Sequence, residues 1–171
     1  MTDFVITSSV LQHWGACGDG IRKFLSEFKG DSATIEQALD ACERRENRDY
    51  AQWLLNTLVK NQIPLPAALA SVAGCLDLRG YQHPLPAALA SVAGGLDLDG
   101  YQHPLPAALA SVAGGLALRG YQHPLPAALA SVAGWLDLDG YQHPLPAALA
   151  ENNDKARGHN IKLAKRAAAI A

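Results

Sequence analysis

Neither sign of charge dominates this chain, and long apolar runs are missing from it. Its 171 residues carry a formal net charge of −2, and no segment has the basic stripe that phosphate binding requires. No apolar run approaches the roughly 18 residues of a membrane-spanning helix, and the start MTDFVITSSVLQHWG is not a signal peptide. We therefore expect no nucleic-acid partner, no membrane association and no secretion.

Cysteines are few, and catalytic motifs are absent. Cys17, Cys42 and Cys75 are an odd number without the spacing of a disulfide framework or a zinc site, which favours a reducing compartment and hence the cytoplasm. The motifs G-x-S-x-G, H-E-x-x-H, C-x-x-C and the P-loop do not occur. The sequence thus predicts a protein that is not an enzyme and that binds neither metal nor cofactor.

A repeat of 20 residues dominates the rest of the chain. The segment YQHPLPAALASVAG occurs unchanged at 81–94, 101–114 and 121–134. A fixed period of this length is typical of stacked repeat architectures, in which each unit contacts only its neighbours. We divide the chain into an N-terminal cap (1–62), a solenoid (63–150) and a C-terminal capping helix (151–171).

Each repeat combines a strand pattern with a return arm. Leu76-Asp77-Leu78-Arg79 alternates apolar and charged residues, which predicts a short strand with its leucines inward. The arm LPAALASVAGG begins with proline and ends in glycine, which favours about two turns of helix, with an extended arm as the alternative. The expected fold is an α/β class right-handed solenoid of short parallel strands and short helical turns with α-helical ends.

The outward positions of these strands carry the charge of the repeats. Segment 63–150 has five acidic and two basic side chains. Equivalent residues of stacked strands form columns about 4.8 Å apart, so the alternating signs of Arg79, Asp99, Arg119 and Asp139 predict attraction within one column. The face that we expect to bind a partner consists of Asp77, Arg79, Asp97, Asp99, Arg119, Asp137 and Asp139.

Histidines and tyrosines also recur once per repeat. The columns that contain His83 and Tyr81 suggest a metal site or pH switch and an aromatic binding surface, respectively. Both residues lie at a proline corner and are copied with everything else, so structural roles at the corner are the favoured interpretation. Cys75 and Trp135 occupy a position that is glycine in the other repeats.

The two ends of the chain have helical patterns. Apolar residues at Ile21, Phe24, Leu25 and Phe28 follow the spacing of one buried helix face, and either Ser32 or Thr34 is the candidate N-cap of the next helix. After residue 151, acidic residues come early and basic residues late, as a helix dipole favours, with Ile161 facing inward. Both ends are expected to cap the stack.

The run LPAALASVAGGLDLDG, continuing into YQHPLP, resembles short bacterial leucine-rich repeats, which combine an LP-x-x-L segment with an L-x-L strand. The resemblance covers residues 63–150. Two departures are a longer spacer between Val72 and Leu76 and a tyrosine, Tyr81, where such repeats carry asparagine. The N-terminal cap resembles segments found beside such repeats in bacterial and phage sequences, through Cys17, Gly20 and Phe24, Ala41-Cys42-Glu43-Arg44 and Trp53-Leu54-Leu55.

These patterns predict a non-catalytic scaffold or protein-interaction module. The near identity of the repeats indicates recent duplication or a consensus-style engineered array with no assignable natural ligand. The alternative is the recognition module of a bacterial effector whose catalytic domain is absent. A protein is the expected partner, and the sequence carries no signal of the oligomeric state.

Overall fold

The computed structural model of the chain describes residues 4–155 and 161–162. The chain forms two compact units, Met1–Thr57 and Leu58–Ala171. The second unit contains a solenoid of parallel strands with a period of about 20 residues, and helices precede and follow these strands in the chain. The predicted α/β solenoid is thereby confirmed.

Helices and a small sheet build the first unit. The helices are α1 (Ser8–His13), α2 (Gly18–Glu27), α3 (Ile35–Arg44) and α4 (Arg48–Lys60), the last of which continues into the second unit. The sheet was not expected from the sequence, and it pairs β1 (Val5–Ile6) antiparallel with β2 (Ala33–Thr34). Thr34, one of the two predicted candidates, is the N-cap of α3 and forms a capping box with Gln37.

Helix α2 differs from its predicted buried face at Leu25 and at Phe28. Phe24 is buried, but Leu25 is 42% exposed. The helix also ends at Glu27, so Phe28 lies beyond it and contacts the ring of Phe24 with centroids 5.0 Å apart. The buried stripe is therefore narrower than the periodicity indicates.

Each repeat of the solenoid contributes two short strands. The first set contains β3 (Ser71–Val72), β5 (Ser91–Val92), β7 (Ser111–Val112) and β9 (Ser131–Val132). The second set contains β4 (Leu76–Asp77), β6 (Leu96–Asp97), β8 (Leu116–Ala117) and β10 (Leu136–Asp137). Within each set, neighbouring strands pair in parallel with equivalent residues in register. Identical residues therefore stack on one another from coil to coil.

The predicted helical arm is wrong for the first four repeats. Pro66 to Leu69 form a single turn, closed by a 3.1 Å hydrogen bond from the Leu69 N–H to the Pro66 carbonyl, and the chain then extends into β3. The next coil explains the extension, because the Ala90 N–H donates to the Ala70 carbonyl at 2.8 Å. Ladder hydrogen bonds between coils thus outweigh the local helix propensity of LPAALA.

The fifth copy of LPAALA does form a helix, α5 (Ala147–Lys155). Here the Ala150 N–H donates to the Pro146 carbonyl at 2.9 Å instead of joining the ladder. The Ala130 carbonyl, which the next coil would otherwise engage, accepts a 2.7 Å hydrogen bond from the side chain of Asn152. One asparagine therefore replaces the missing backbone partner.

The helix predicted over 151–171 is shorter in the structure and begins earlier. After α5, Ile161 and Lys162 form a strand, β11, which pairs in parallel with β10. Ile161 is thus in a strand rather than on a helix face, because the edge of β10 offers it ladder partners. Residues 156–160 and 163–171 of the predicted helix lie outside the described residues.

Leucine, valine and tyrosine fill the interior of the solenoid. Leu89, Leu96, Leu98 and Tyr101 of one coil are at most 1% exposed, and their equivalents in neighbouring coils repeat the pattern. Gly94 lies so close to the preceding coil that a Cβ built on it would be 2.5 Å from the Gly74 carbonyl carbon. The column of glycines therefore permits the close stacking of coils.

Tyrosine stabilises each corner through its hydroxyl group. The Tyr101 hydroxyl accepts a 3.0 Å hydrogen bond from the Leu85 N–H and donates a 3.1 Å hydrogen bond to the His83 carbonyl. Tyr81 makes the equivalent pair of bonds with Leu65 and Ile63. The expected corner packing of the tyrosines is confirmed, and their hydroxyl groups bind the backbone of the preceding coil.

Candidate functional site

The strands β4, β6, β8 and β10 present a charged outer face, defined by the seven residues predicted from the sequence. Along each strand the leucines are buried and the charged residues that alternate with them are at least partly exposed, whereas Ala117 in β8 is buried. Every Asp, Glu, Lys and Arg of segment 63–150 belongs to this charged face. Five carboxylates and two guanidinium groups give it a formal charge of −3.

The direct ion pairs of the described charged face run between columns. The attraction expected within one column is present at longer range, because Asp77 and, more weakly, Asp99 raise the pKa of Arg79. The Arg79 guanidinium contacts the carboxylates of Asp77 and Asp97, and Arg119 contacts Asp137 at 3.3 Å. Hydrogen bonds from Arg79 lower the pKa of Asp77. Among the described residues, Asp99 and Asp139 form no direct ion pair. Both arginines therefore have direct carboxylate partners, while in the part of the chain that the structure describes the carboxylates of Asp99 and Asp139 have no cation within ion-pair distance.

Three of the carboxylates also have a structural role. The Asp77 carboxylate accepts a 3.0 Å hydrogen bond from the backbone N–H of Arg79, two residues further on. Asp97 and Asp137 make the same bond to residues 99 and 139, also at 3.0 Å. This Asx-type turn bends the chain toward the glycine that follows, such as Gly80 with φ of 71°. The recurrence of aspartate in this column therefore has a structural explanation. Ala117 has no carboxylate and cannot accept this hydrogen bond, and nothing in the structure explains the alanine.

A third column on the same side contains Cys75, Gly95, Gly115 and Trp135. The Trp135 side chain lies over Gly115, since a Cβ built on Gly115 would be 2.1 Å from the indole Cε2. Trp135 is nevertheless 51% exposed. At the other end of the column, the Cys75 sulfur accepts a 3.2 Å hydrogen bond from the Gly95 N–H. The indole is thus an exposed aromatic surface that lies against the backbone.

The histidine column binds the preceding coil. Nε2 of His103 lies 2.8 Å from the Gln82 carbonyl, and the other three repeats have the same contact. A carbonyl only accepts, so Nε2 is the protonated nitrogen. Each ring also lies 5.6 Å from the tyrosine ring of its own coil. The described residues hold no group of three or more His, Cys, Asp or Glu side chains suited to a metal ion.

The first unit contains a cavity of about 320 Å³ with mainly apolar walls. Phe24, Trp53 and Leu54 line it, as do Cys17 and Cys42. A hydrogen bond from the Gly20 N–H lowers the pKa of the exposed Cys17 thiol, whereas burial raises the pKa of Cys42. Sequence reasoning missed this cavity, because a void depends on how helices pack and not on their periodicity.

Comparisons with protein families, with curated proteins and with solved structures return no match to this chain. Function is therefore argued from its own residues. Among residues 4–155 and 161–162, no helix combines the length and the apolar character that crossing a bilayer demands.

Proposed function

We propose that the chain is a non-catalytic interaction scaffold that binds a protein partner through its charged face and the adjacent Trp135 column. One observation carries the proposal. The four coils that begin at residues 65, 85, 105 and 125 differ only in the columns of residues 75, 77 and 79. Positions two residues apart on a strand share one face, so all variation among these coils lies on a single surface.

The remaining surface of the repeats supports this assignment by contrast. Ala87 and Ala88 at the turn and Gln82 at the corner are exposed but identical in every coil that contains them. A partner that recognises one particular coil finds distinguishing side chains only in the three variable columns. Repeat proteins commonly bind through such a surface of variable residues on a constant frame.

The repeats themselves are proposed to be of the leucine-rich type and to derive from recent duplication or consensus design. Complete identity at 17 of 20 positions supports a common recent origin of the four coils. The tyrosine hydroxyl at the corner takes the place that asparagine has in the family it resembles, by binding backbone groups of the preceding coil.

A variant with four identical coils tests the proposal. The substitutions Cys75→Gly, Asp99→Arg, Ala117→Asp, Trp135→Gly and Asp139→Arg give every coil the sequence Gly-Leu-Asp-Leu-Arg in this region. Each new residue already occupies the same position in another coil, so we expect the circular dichroism spectrum and melting temperature to change little.

The readout is the set of proteins that the wild type and this variant capture from a bacterial extract, identified by mass spectrometry. We expect the specific partners of the wild type to be lost. The control changes Ala87, Ala88, Ala107 and Ala108, which are exposed on the turns, to lysine. Partners that survive in the uniform variant and disappear in the lysine control would place binding on the turns and refute the proposal.

A further inference from the structure

We propose that the partner segment that docks on the charged face is basic, and that one of its Arg or Lys side chains lies over the indole of Trp135. The inference rests on the proposed function of this face and specifies the chemistry of its partner. It is carried by the exposed indole, by the two carboxylates that form no direct ion pair with a described residue, and by the spacing of these carboxylates.

The charged face has more carboxylates than guanidinium groups. Arg79 and Arg119 are both engaged by carboxylates of the face, whereas Asp99 and Asp139 form no direct ion pair among the described residues. The formal charge of −3 repels nucleic acids, anionic lipid surfaces and acidic peptides, and attracts cationic segments. Complementary charge of this kind raises the association rate and selects the partner.

The Trp135 side chain offers an exposed aromatic ring in the column next to these charges. The indole lies against Gly115, in space that any side chain at residue 115 would occupy. About half of the side chain is open to solvent. An exposed indole next to carboxylates suits a guanidinium or ammonium group, because the ring attracts the cation and the carboxylates neutralise it. Tryptophan is also enriched among the residues that dominate binding energy.

The spacing of Asp99 and Asp139 matches that of side chains in an extended peptide. Residues 99 and 139 are equivalent positions two coils apart, which corresponds to about 9.6 Å at the usual separation of parallel strands. A polyproline II segment brings every third side chain to the same side, with a repeat of about 9.3 Å. Basic residues three apart in an extended segment therefore match the spacing of the carboxylates of Asp99 and Asp139.

The test uses a fluorescein-labelled peptide with arginine at every third position and proline between the arginines. Binding to the full chain is followed by fluorescence anisotropy at low and at physiological salt. A peptide with glutamate in place of arginine is the charge control. We expect the arginine peptide to bind, more weakly as salt increases, and the glutamate peptide not to bind.

Three variants localise the binding. Trp135→Gly, which restores the residue of two other coils, is expected to weaken binding about fivefold. Asp99→Arg with Asp139→Arg is expected to weaken it at least tenfold. The four-lysine variant on Ala87, Ala88, Ala107 and Ala108 makes the same formal charge change of +4 on another surface, and it is expected to retain most of the affinity.

The outcomes separate this inference from the proposed function. Equal weakening by the double arginine and the four-lysine variants, or no effect of Trp135→Gly, overturns the inference. If the arginine peptide does not bind while the uniform variant still loses the partners captured by the wild type, the face is an interaction surface but its partner is not basic. If those partners also remain, both proposals fail.

Discussion

Replacing Tyr101 with phenylalanine removes one hydroxyl group and leaves two backbone groups without their partner. The Leu85 N–H and the His83 carbonyl bond to this hydroxyl at 3.0 and 3.1 Å, and the Tyr101 side chain is only 1% exposed. An unsatisfied buried donor or acceptor costs about 1–3 kcal/mol. We expect Tyr101→Phe to lower the free energy of unfolding by about 2–4 kcal/mol, less than two fully buried groups would cost, because the bond to the His83 carbonyl is only partly buried.

Urea unfolding followed by circular dichroism measures the loss. With an m-value of about 2 kcal/mol per molar urea, the midpoint should fall by about 1–2 M. Native-state hydrogen exchange gives a local readout, because the amide of Leu85 should lose protection. The matched control is Tyr141→Phe, in which the hydroxyl bonds to Leu125 but the ring is only half-buried, and the expected loss is smaller. A Tyr101→Phe midpoint within about 0.2 M of the wild type would show that the hydroxyl does not hold the corner.

Three further predictions follow from the same packing. Gly94→Ala should lower the free energy of unfolding by about 1–3 kcal/mol, because its Cβ would lie 2.5 Å from a backbone atom of the preceding coil. Gly95→Ala is the control, since the nearest atom there is 3.4 Å away, and equal melting temperatures of the two variants would contradict the prediction. Burial raises the pKa of Tyr121 to about 12, so its neutral form favours the folded state; this stability is complete below pH 10 and should be lost as the pH rises toward 12, with absorbance at 295 nm reporting ionisation. At pH 8, Cys17 should react with an aromatic disulfide faster than Cys42, as peptide mapping can determine, and the reverse order would contradict the geometry.

The strand part of the repeat was predictable from the sequence because its signal is local. Leu76 and Leu78 alternate with charged residues, and the structure buries both leucines. The arm was not predictable in the same way, since LPAALA has favourable helix formers and a proline at the first helical position. Only the neighbouring coil, which supplies ladder partners to Ala70 and Ala90, makes the arm extended.

The candidate site shows the same division between local and non-local information. The period of two was sufficient to place Asp77 and Arg79 on one face. It did not predict that Arg79 pairs with Asp77 and Asp97, because the Asx-type turn fixes where these carboxylates point. The exposed indole of Trp135 likewise depends on the absence of a side chain at Gly115, one coil away.

The fifth LPAALA segment has a consequence for how such a chain changes its size. The sequence LPAALA leads into a strand where Ser-Val follows it and forms part of a helix where Glu-Asn follows it. In the second case the Asn152 side chain donates to the Ala130 carbonyl in place of a further strand. The residues that end the array, Glu151 and Asn152, thus lie outside the repeated unit and act as its terminator. Inserting further 20-residue units lengthens the sheet by about 4.8 Å each and leaves the terminator untouched. Every inserted unit also adds three outward positions whose residues can be chosen independently, so the array is an extendable surface with addressable sites.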